Sequence, residues 1–297
     1  AETSVILHPV NNAVTSMATK SPNSATVREL LARATLTLEN RREAELIAGL
    51  ALRQSRAWLI AHDDAPIDGP DLERVDAMVQ KRAKGVPIAY LSGSREFYGR
   101  EFRVSPAVMI PRPETEHLVE WALALDLPQN ARVVDVGTGS GCIVLSLAAK
   151  RSGWQCIGTD ISTKALTVAA DNRGLLDAGQ VRLLQGNLLE PVGDTALDLI
   201  VSNPPYVAAG DPHLEQGDVR FEPEIALSDG ADGLDAIRCL IEQSRRLLTP
   251  GGWLLIEHGY DQAEAVRALF RNKGFEQVKS KTDLAGIERV TGGRFSS

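Results

Sequence analysis

A regular alternation of strand-like and helical segments runs from Arg132 to the end of the chain, and it constrains the fold more than any other feature. The strand-like segments are short, and they cover 132–136, 155–159, 181–185, 197–202, 253–257, 275–281 and 287–291. Helical patterns cover 141–149, 163–172 and 262–273. This alternation predicts an α/β fold with a mostly parallel seven-stranded sheet and helices on both faces. Ligands bind beyond the carboxyl ends of such strands, so functional side chains are expected there.

The first third of the chain has a helical pattern instead. Apolar residues recur every three or four positions from Thr26 to about Ala89, which predicts a small helical-bundle domain over residues 24–92. The next segment predicts a β-hairpin with a turn near Gly99, followed by a stiff extended connector that contains two prolines. We therefore expect a β-hairpin linker over residues 93–115 and the α/β domain over residues 116–297.

The N-terminal segment 1–23 is polar and lacks the apolar core of a signal peptide. We expect it to be a disordered extension. Met17 is a suitable natural start, which makes residues 1–16 an upstream addition. No run in the sequence approaches the roughly 20 apolar residues of a membrane span.

The net charge and the cysteine pattern argue against several kinds of function. The formal net charge of −7 argues against a long nucleic acid as partner, because enzymes that hold one neutralise its phosphates with a basic surface. The three cysteines, Cys142, Cys156 and Cys239, form no C-x-x-C pair, and histidines are few. Neither a metal site nor a disulfide framework is therefore expected, and a reducing cytoplasm is the simplest compartment.

A glycine-rich turn follows the first strand of the alternating region, as Gly137-Thr138-Gly139-Ser140-Gly141. Glycines let a ligand approach the backbone closely, and the following helix N-terminus presents free N–H groups. The spacing is G-x-G-x-G with an acid two residues before it, which resembles the nucleoside-binding loop of class I methyltransferases. A dinucleotide fingerprint has its third glycine one residue later. A plain tight turn and an NAD site stay open as alternatives from this loop alone.

Polar residues also follow the second and third strands. Asp160 ends the second strand, where a carboxylate can accept hydrogen bonds from both hydroxyls of a ribose. A helix cap is the alternative role, but Ser162 can fill it and leave Asp160 free for a ligand. After the third strand, Asn187 is placed to contact an adenine amino group and Leu188 to lie beside the base. Ordinary turn chemistry is the alternative for Asn187.

The fourth strand ends abruptly in Asn203-Pro204-Pro205-Tyr206. The two prolines fix the backbone and remove two N–H donors, so the Pro204 carbonyl can be directed into a cleft. With the side-chain oxygen of Asn203 it forms a pair of acceptors for both hydrogens of an –NH₂ group. Tyr206 can lie against the flat face of the substrate. This loop predicts methylation of a planar amide or amino nitrogen, and an ordinary Asn-Pro turn is the alternative.

Together these segments resemble the PrmC/HemK family, the N5-glutamine methyltransferases that modify the Gly-Gly-Gln motif of peptide chain release factors. The resemblance covers nearly the whole chain from about residue 24. The segments that carry it are Phe97-Tyr98-Gly99, Ile110 to Glu116, Asp135 to Gly141, Asn203 to Tyr206, Phe221-Glu222-Pro223, Asp229-Gly230 and Asp232-Gly233-Leu234.

The resemblance implies a class I methyltransferase (Rossmann-like) fold, S-adenosylmethionine as cofactor, S-adenosylhomocysteine as product and bacterial-type release factors as partners. It makes the helical domain the substrate-recognition domain of a monomeric enzyme. The implied cofactor-binding residues are Gly137, Thr138, Gly139, Ser140, Gly141, Asp160, Asn187, Leu188 and Asn203. The implied substrate-binding residues are Asn203, Pro204, Pro205 and Tyr206, of which Asn203, Pro204 and Tyr206 are catalytic.

Two other functions are weighed against this one. A DNA adenine-N6 methyltransferase holds its amino group with the same loop chemistry, but it must also flip the base and grip the backbone. The acidic balance and the lack of a target-recognition insert argue against it. A non-catalytic module that binds the release factor or the ribosome is the second alternative, and an intact glycine loop beside an intact Asn-Pro-Pro-Tyr loop argues against it.

Three further residues have less certain roles in the sequence. His258 follows Glu257 at a strand end and is expected to be structural. Arg112 and Glu114 either meet the protein substrate or join the two domains, and the second role is favoured.

Overall fold

The computed structural model describes residues 25–296, so the prediction for residues 1–23 lies outside the described part of the chain. The described chain divides into two compact units between Ala83 and Lys84. Within residues 25–296 no helix is both long enough and apolar enough to cross a membrane.

The first unit is a small helical bundle, as predicted. Its helices are α1 (Val27–Leu38), α2 (Arg41–Leu52), α3 (Arg56–Ala61) and α4 (Gly69–Ala83). Two short strands, β1 (Ala25–Thr26) and β2 (Pro66–Ile67), pair antiparallel. Thr26 and Glu29 form a capping box that satisfies the first N–H groups of α1. The apolar faces of the helices meet in a core that contains the fully buried Leu30, Ile47, Leu59 and Val75.

The second unit begins with a short helix and the predicted hairpin. These elements are α5 (Ile88–Ser92), β3 (Ser94–Phe97) and β4 (Arg100–Arg103). Tyr98 and Gly99 join the two strands with φ angles of 51° and 70°, as a two-residue turn with both residues left-handed requires. Phe97 and Phe102 are buried, with ring centroids 6.1 Å apart, and they anchor the hairpin in the core of this unit.

The central sheet has seven strands, which confirms the predicted α/β fold. The strands are β5 (Arg132–Val136), β6 (Gln155–Asp160), β7 (Arg182–Gln185), β8 (Leu197–Ser202), β9 (Leu248–Glu257), β10 (Phe275–Thr282) and β11 (Glu288–Phe295). Their spatial order is β10-β11-β9-β8-β5-β6-β7. Strands β5 to β9 pair in parallel, and β11 pairs antiparallel with both β9 and β10. The chain runs from β5 outward to β7 and then returns to β8 on the other side, so a topological switch point lies between β5 and β8.

Helices cover both faces of the sheet. They are α6 (Glu116–Leu123), α7 (Cys142–Lys150), α8 (Thr163–Leu175), α9 (Asp235–Leu247) and α10 (Ala263–Asn272). Val133 packs in one core with residues of α6 and α7, while its neighbour Val134 packs in another core with residues of α9 and α10. Because β5 is covered on both faces, its valines are all buried, whether they point to one face or the other. The sequence prediction missed α9, although Ile237, Leu240 and Ile241 are buried at helical spacing.

Candidate active site

A cavity of about 400 Å³ opens at the carboxyl ends of β5, β6 and β8, within the size range of small-molecule sites. The predicted site residues that line it are Gly137, Thr138, Gly139, Ser140, Asp160, Asn187, Leu188, Asn203 and Pro205. The remaining predicted residues, Gly141, Pro204 and Tyr206, lie outside this lining. The cavity therefore brings the glycine-rich loop together with the ends of three neighbouring strands.

The glycine-rich loop depends on left-handed backbone conformations. Gly137, Gly139 and Gly141 have φ angles of 71°, 56° and 81°, which side chains disfavour. Gly141 also has a packing role, because an added Cβ atom would lie 3.0 Å from Leu145 and 3.4 Å from Ala169. The missing side chain of Gly141 therefore lets the start of α7 approach α8, and this packing position lies outside the cavity lining.

Asp160 supports the loop from the end of β6. Its Oδ2 atom accepts a hydrogen bond from the Gly139 N–H at 2.9 Å, and its Oδ1 atom accepts one from the Ser162 N–H at 2.9 Å. Ser162 itself caps α8 through its hydroxyl, as the sequence suggested. Burial raises the pKa of Asp160. A carboxylate has about four lone-pair sites, so Asp160 keeps acceptor capacity for a ligand hydroxyl beside its backbone N–H partners.

Asp135 is a further site residue that the sequence reading did not select. It is fully buried, and its Oδ2 atom accepts hydrogen bonds from the Thr138 hydroxyl at 2.6 Å and the Val144 N–H at 3.3 Å. Its Oδ1 atom has no hydrogen-bond partner among residues 25–296. Burial raises the pKa of this carboxyl to about 7. Asp135 does not line the cavity, so its visible role is to hold the loop through Thr138 and the start of α7 through Val144, with its negative charge behind the loop.

The loop after β7 closes another side of the cavity. The backbone N–H of Glu190 donates to the Asn187 carbonyl at 3.0 Å, and the Asn187 side chain donates to the Glu190 carboxylate at 3.3 Å. Leu188 has a φ of 49°, and its carbonyl accepts a hydrogen bond from the Thr159 hydroxyl at 2.8 Å. These contacts fix both Asn187 and Leu188 at the edge of the cavity. Asn187 offers polar atoms there and Leu188 an apolar side chain.

The Asn-Pro-Pro-Tyr loop leaves the sheet at the end of β8. The side-chain nitrogen Nδ2 of Asn203 donates to the Thr115 hydroxyl at 3.2 Å. In the part of the chain from 25 to 296, neither the Oδ1 atom of Asn203 nor the carbonyl oxygen of Pro204 accepts a hydrogen bond. Pro204 is buried, while Pro205 lines the cavity. Both oxygens of the expected acceptor pair are thus without a protein donor among these residues, and Asn203 is the one of the two residues that lines the cavity.

Tyr206 is held by its backbone. Its carbonyl accepts a hydrogen bond from the Gln262 side chain at 3.0 Å, and Gln262 also donates to the Gly233 carbonyl at 3.2 Å. An alanine at position 233 would bring its Cβ atom within 2.3 Å of the Tyr206 carbonyl oxygen, so the two segments approach as closely as a glycine allows. Burial raises the pKa of the Tyr206 hydroxyl, which keeps the ring neutral at physiological pH.

The proline-containing connector is fixed against the α/β domain. Arg112 forms an ion pair with the buried carboxylate of Glu222, and the Ile110 N–H donates to the same carboxylate at 3.2 Å. Arg112 therefore joins the connector to residues 221–223 within the second unit. The connector then lines the cavity with Met109, Pro111 and Thr115. Its two prolines were the sequence signal for a rigid element here.

Other chemically active side chains have structural roles. His258 is fully buried, with Nδ1 2.9 Å from the Gly259 carbonyl oxygen and Nε2 2.8 Å from the Thr291 hydroxyl. Both ring nitrogens are thus engaged, as expected for a structural histidine. Within residues 25–296, no group of three or more His, Cys, Asp or Glu side chains is arranged to hold a metal ion.

Comparisons with known proteins agree with this geometry. Residues 26–93 match the PrmC N-terminal domain, and residues 115–217 match the Methyltransferase small domain. Relatives named release factor glutamine methyltransferase include one from Xylella fastidiosa (strain Temecula1), 48% identical over 89% of this chain and 96% of the relative. Another is from Escherichia coli (strain K12), 40% identical over 91% of this chain and 97% of the relative. A 16S rRNA methyltransferase from T. Thermophilus, solved with AdoMet and guanosine, shares the fold. Its TM-score is 0.50 at 20% identity, over 68% of this chain and 49% of that chain.

Proposed function

This chain belongs to the release factor glutamine methyltransferase family, and we propose that it methylates the side-chain amide nitrogen of the glutamine in the Gly-Gly-Gln motif of bacterial-type release factors. The observation that carries the proposal is the pair of unpartnered oxygens of the Asn-Pro-Pro-Tyr loop, Asn203 Oδ1 and the Pro204 carbonyl. Asn203 lines the cavity of the glycine-rich loop, and the buried Pro204 follows it directly. The release factor is then the partner of a monomeric cytoplasmic enzyme.

The residues around the cavity fit S-adenosylmethionine, which supplies an electrophilic methyl group on a positively charged sulfur. The backbone of Gly137 to Gly141 would hold the amino-acid part closely, and the buried carboxylate of Asp135 behind the loop favours a positive charge there. Asp160 would accept hydrogen bonds from the ribose hydroxyls. Asn187 and Leu188 would contact the adenine at one polar edge and one apolar face.

The Asn-Pro-Pro-Tyr loop would make the substrate amide nitrogen more reactive. An amide nitrogen is a poor nucleophile because its lone pair is delocalised into the carbonyl group. Two acceptors that bind both N–H groups favour positive charge on the nitrogen as it attacks, and they direct its lone pair toward the methyl group. Asn203 and Pro204 therefore act by positioning and electrostatics, and the extra proton leaves after the transfer. Tyr206 would pack against the flat face of the amide.

The test is methylation by the purified full chain with tritium-labelled S-adenosylmethionine and either a release factor or duplex DNA. Mass spectrometry of the release-factor peptide locates the methyl group. We expect one methyl group on the glutamine, none on DNA, and a loss of about 100- to 1,000-fold in kcat for Asn203→Ala, since one preorganised group has this effect in other enzymes. Asn130→Ala, at an exposed position, is the matched control and keeps full activity.

Each other outcome contradicts a defined part of the proposal. Labelled adenine in DNA with an unlabelled release factor would assign the enzyme to the adenine-N6 class. Undiminished transfer by folded Asn203→Ala would remove Asn203 from the reaction. Binding of the release factor without any transfer would support the non-catalytic module.

A further inference from the structure

Three polar side chains from separate elements meet behind the Asn-Pro-Pro-Tyr loop. Thr115 ends the short helical turn Pro113–Thr115 of the connector, Asn203 follows β8, and Glu257 ends β9. Thr115 and Glu257 are 1% and 2% exposed. Buried polar groups of this kind are costly unless they are hydrogen-bonded, so their joint position calls for a physical reason.

The Asn203 amide acts as the hydrogen-bond donor toward the other two groups. Asn203 Nδ2 donates to the Thr115 hydroxyl oxygen at 3.2 Å. Hydrogen bonds from the Thr115 hydroxyl and the Asn203 amide lower the pKa of Glu257 and oppose the effect of burial. A hydroxyl group has one proton, and when that proton is given to the carboxylate the Thr115 oxygen can only accept from Asn203.

This direction decides which end of the Asn203 amide faces the cavity. The oxygen and nitrogen ends of an asparagine side chain have nearly the same shape, so only their hydrogen-bond partners distinguish them. An ionised Glu257 and the Thr115 oxygen both accept hydrogen bonds, so together they select the nitrogen end of Asn203, and Oδ1 is left for the substrate. A reversed amide would present a donor to the –NH₂ group that it must bind.

We propose that Thr115 and Glu257 are positioning residues for methyl transfer, which hold the Asn203 amide with its oxygen toward the substrate nitrogen. The inference rests on the proposed function and extends it to residues outside the Asn-Pro-Pro-Tyr loop. A donor chain that ends on a carboxylate also polarises the Asn203 amide and makes Oδ1 a stronger acceptor.

The protonation state of Glu257 makes the orientation of the Asn203 amide depend on pH. Its Oε2 atom has no hydrogen-bond partner among the described residues, and burial raises the pKa of the carboxyl to about 7. The charged or titratable groups that act on it are Glu114, Arg289, Tyr206 and Cys142. A protonated Glu257 can donate to Thr115, whose own proton is then free to select the oxygen end of Asn203. The orientation is therefore secured only above the pKa of Glu257, and activity rises with pH through that value.

The experiment compares Thr115→Val, Thr115→Ser and Glu257→Gln with the wild-type full chain. It measures kcat and KM for release factor from about pH 6 to about pH 8, the range around the pKa of Glu257. Thr115→Val keeps the shape of the side chain but removes the hydroxyl, and we expect kcat/KM to fall by about 100-fold, as for other small misplacements of reacting groups. Thr115→Ser restores the hydroxyl and most of the activity. Glu257→Gln flattens the rise with pH.

Control variants separate positioning from folding. Thr167→Val and Glu264→Gln make the same chemical changes at exposed positions of α8 and α10, and they keep wild-type kinetics and pH dependence. Thermal unfolding shows that each variant is folded, and calorimetry shows S-adenosylmethionine affinity within about twofold of wild type. A purely structural role would lower stability without a serine rescue or a change in the pH profile.

The results also separate the two proposals. A wild-type enzyme that leaves the release factor unmethylated overturns the proposed function and this inference with it. A wild-type enzyme that methylates glutamine, with Thr115→Val equally fast, overturns the inference alone. If Thr115→Val does not fold, the pH profile of Glu257→Gln decides, and an unchanged rise with pH overturns the inference.

Discussion

Replacement of Gly158 by alanine tests how the glycine-rich loop is supported. Gly158 lies in the middle of β6, opposite Asp135 of β5. An added Cβ atom would lie 2.9 Å from the Thr138 Oγ1 atom and 3.1 Å from both the Thr138 Cβ atom and the Leu183 Cδ2 atom. Carbon contacts of this kind are normally near 3.5–4.0 Å, so the neighbours must move.

Thr138 is the neighbour that cannot move freely. Its hydroxyl donates to Asp135 at 2.6 Å, its N–H donates to the Thr159 carbonyl at 2.8 Å, and it is 3% exposed. Overpacking of a tight site costs about 1–3 kcal/mol of unfolding free energy. Thr138 also lines the cofactor cavity, so the displaced Thr138 must return to its normal position when the ligand binds, and part of the overpacking energy then opposes binding. If that part is about 1.4 kcal/mol, the dissociation constant for S-adenosylmethionine rises about 10-fold.

The assay combines urea unfolding with calorimetric titration of S-adenosylmethionine. The matched control is Gly174→Ala in α8, where an added Cβ atom has no neighbour within 4 Å. Alanine there raises the free energy of unfolding by about 0.5–1 kcal/mol, because glycine is unfavourable inside a helix, and it leaves cofactor affinity unchanged. A Gly158→Ala protein with wild-type stability and affinity would show that the packing between β6 and the loop is looser than this reasoning requires.

Three further predictions concern the same cavity. Asp160→Asn turns an –NH₂ group toward a backbone N–H donor and weakens S-adenosylmethionine binding about 10- to 100-fold, measured by calorimetry. Iodoacetamide labels Cys239 alone, since Cys142 and Cys156 are buried and burial raises the pKa of each to about 12. S-adenosylmethionine slows the labelling because Cys239 lines the cavity, and mass spectrometry follows it. The folded-state pKa of Glu257 is raised from 4.5 to about 7, so its contribution to stability is complete below pH 4.5 and is lost as pH rises to about 7. This amounts to about 3 kcal/mol, so the decrease in unfolding free energy across that range, measured with urea, is smaller by this amount in Glu257→Gln than in the wild type, while the decrease due to Asp135 remains.

The sequence predicts the sheet, and the structure brings most of the predicted site residues to one cavity, because these features are local. The valines of β5 and the glycine-rich turn after them are recognised from a few consecutive residues. The same holds for Asp160 and the Asn-Pro-Pro-Tyr loop, which stand at strand ends. Helix α9 was missed because a glycine- and aspartate-rich segment precedes it and its N-cap residue is Leu234, whose side chain cannot accept a hydrogen bond. The usual start signal is therefore lacking, and the first N–H of the helix donates to the more distant Asp229 instead.

Contacts between distant segments were beyond the sequence reading. Ile110 and Glu222 are 112 positions apart, and Asn203 and Thr115 are 88 apart. No periodicity links such residues, because their approach depends on the completed sheet and on the path of each loop. For Gly141, the local motif suggests a cofactor contact, but the residue lies outside the cavity lining and its close neighbours are Leu145 and Ala169.

Two buried carboxylates, Asp135 at β5 and Glu257 at the end of β9, each keep one oxygen without a partner among residues 25–296. Each such oxygen costs stability, and burial raises the pKa of both groups to about 7. If the sheet had only a structural role, apolar residues in place of these two carboxylates would make the protein more stable. Neither lines the cavity, but Asp135 lies behind the glycine-rich loop and Glu257 behind Asn203. Both carboxylates therefore stand behind the loops that would hold a positively charged cofactor and a nitrogen that becomes positive, where negative charge favours methyl transfer.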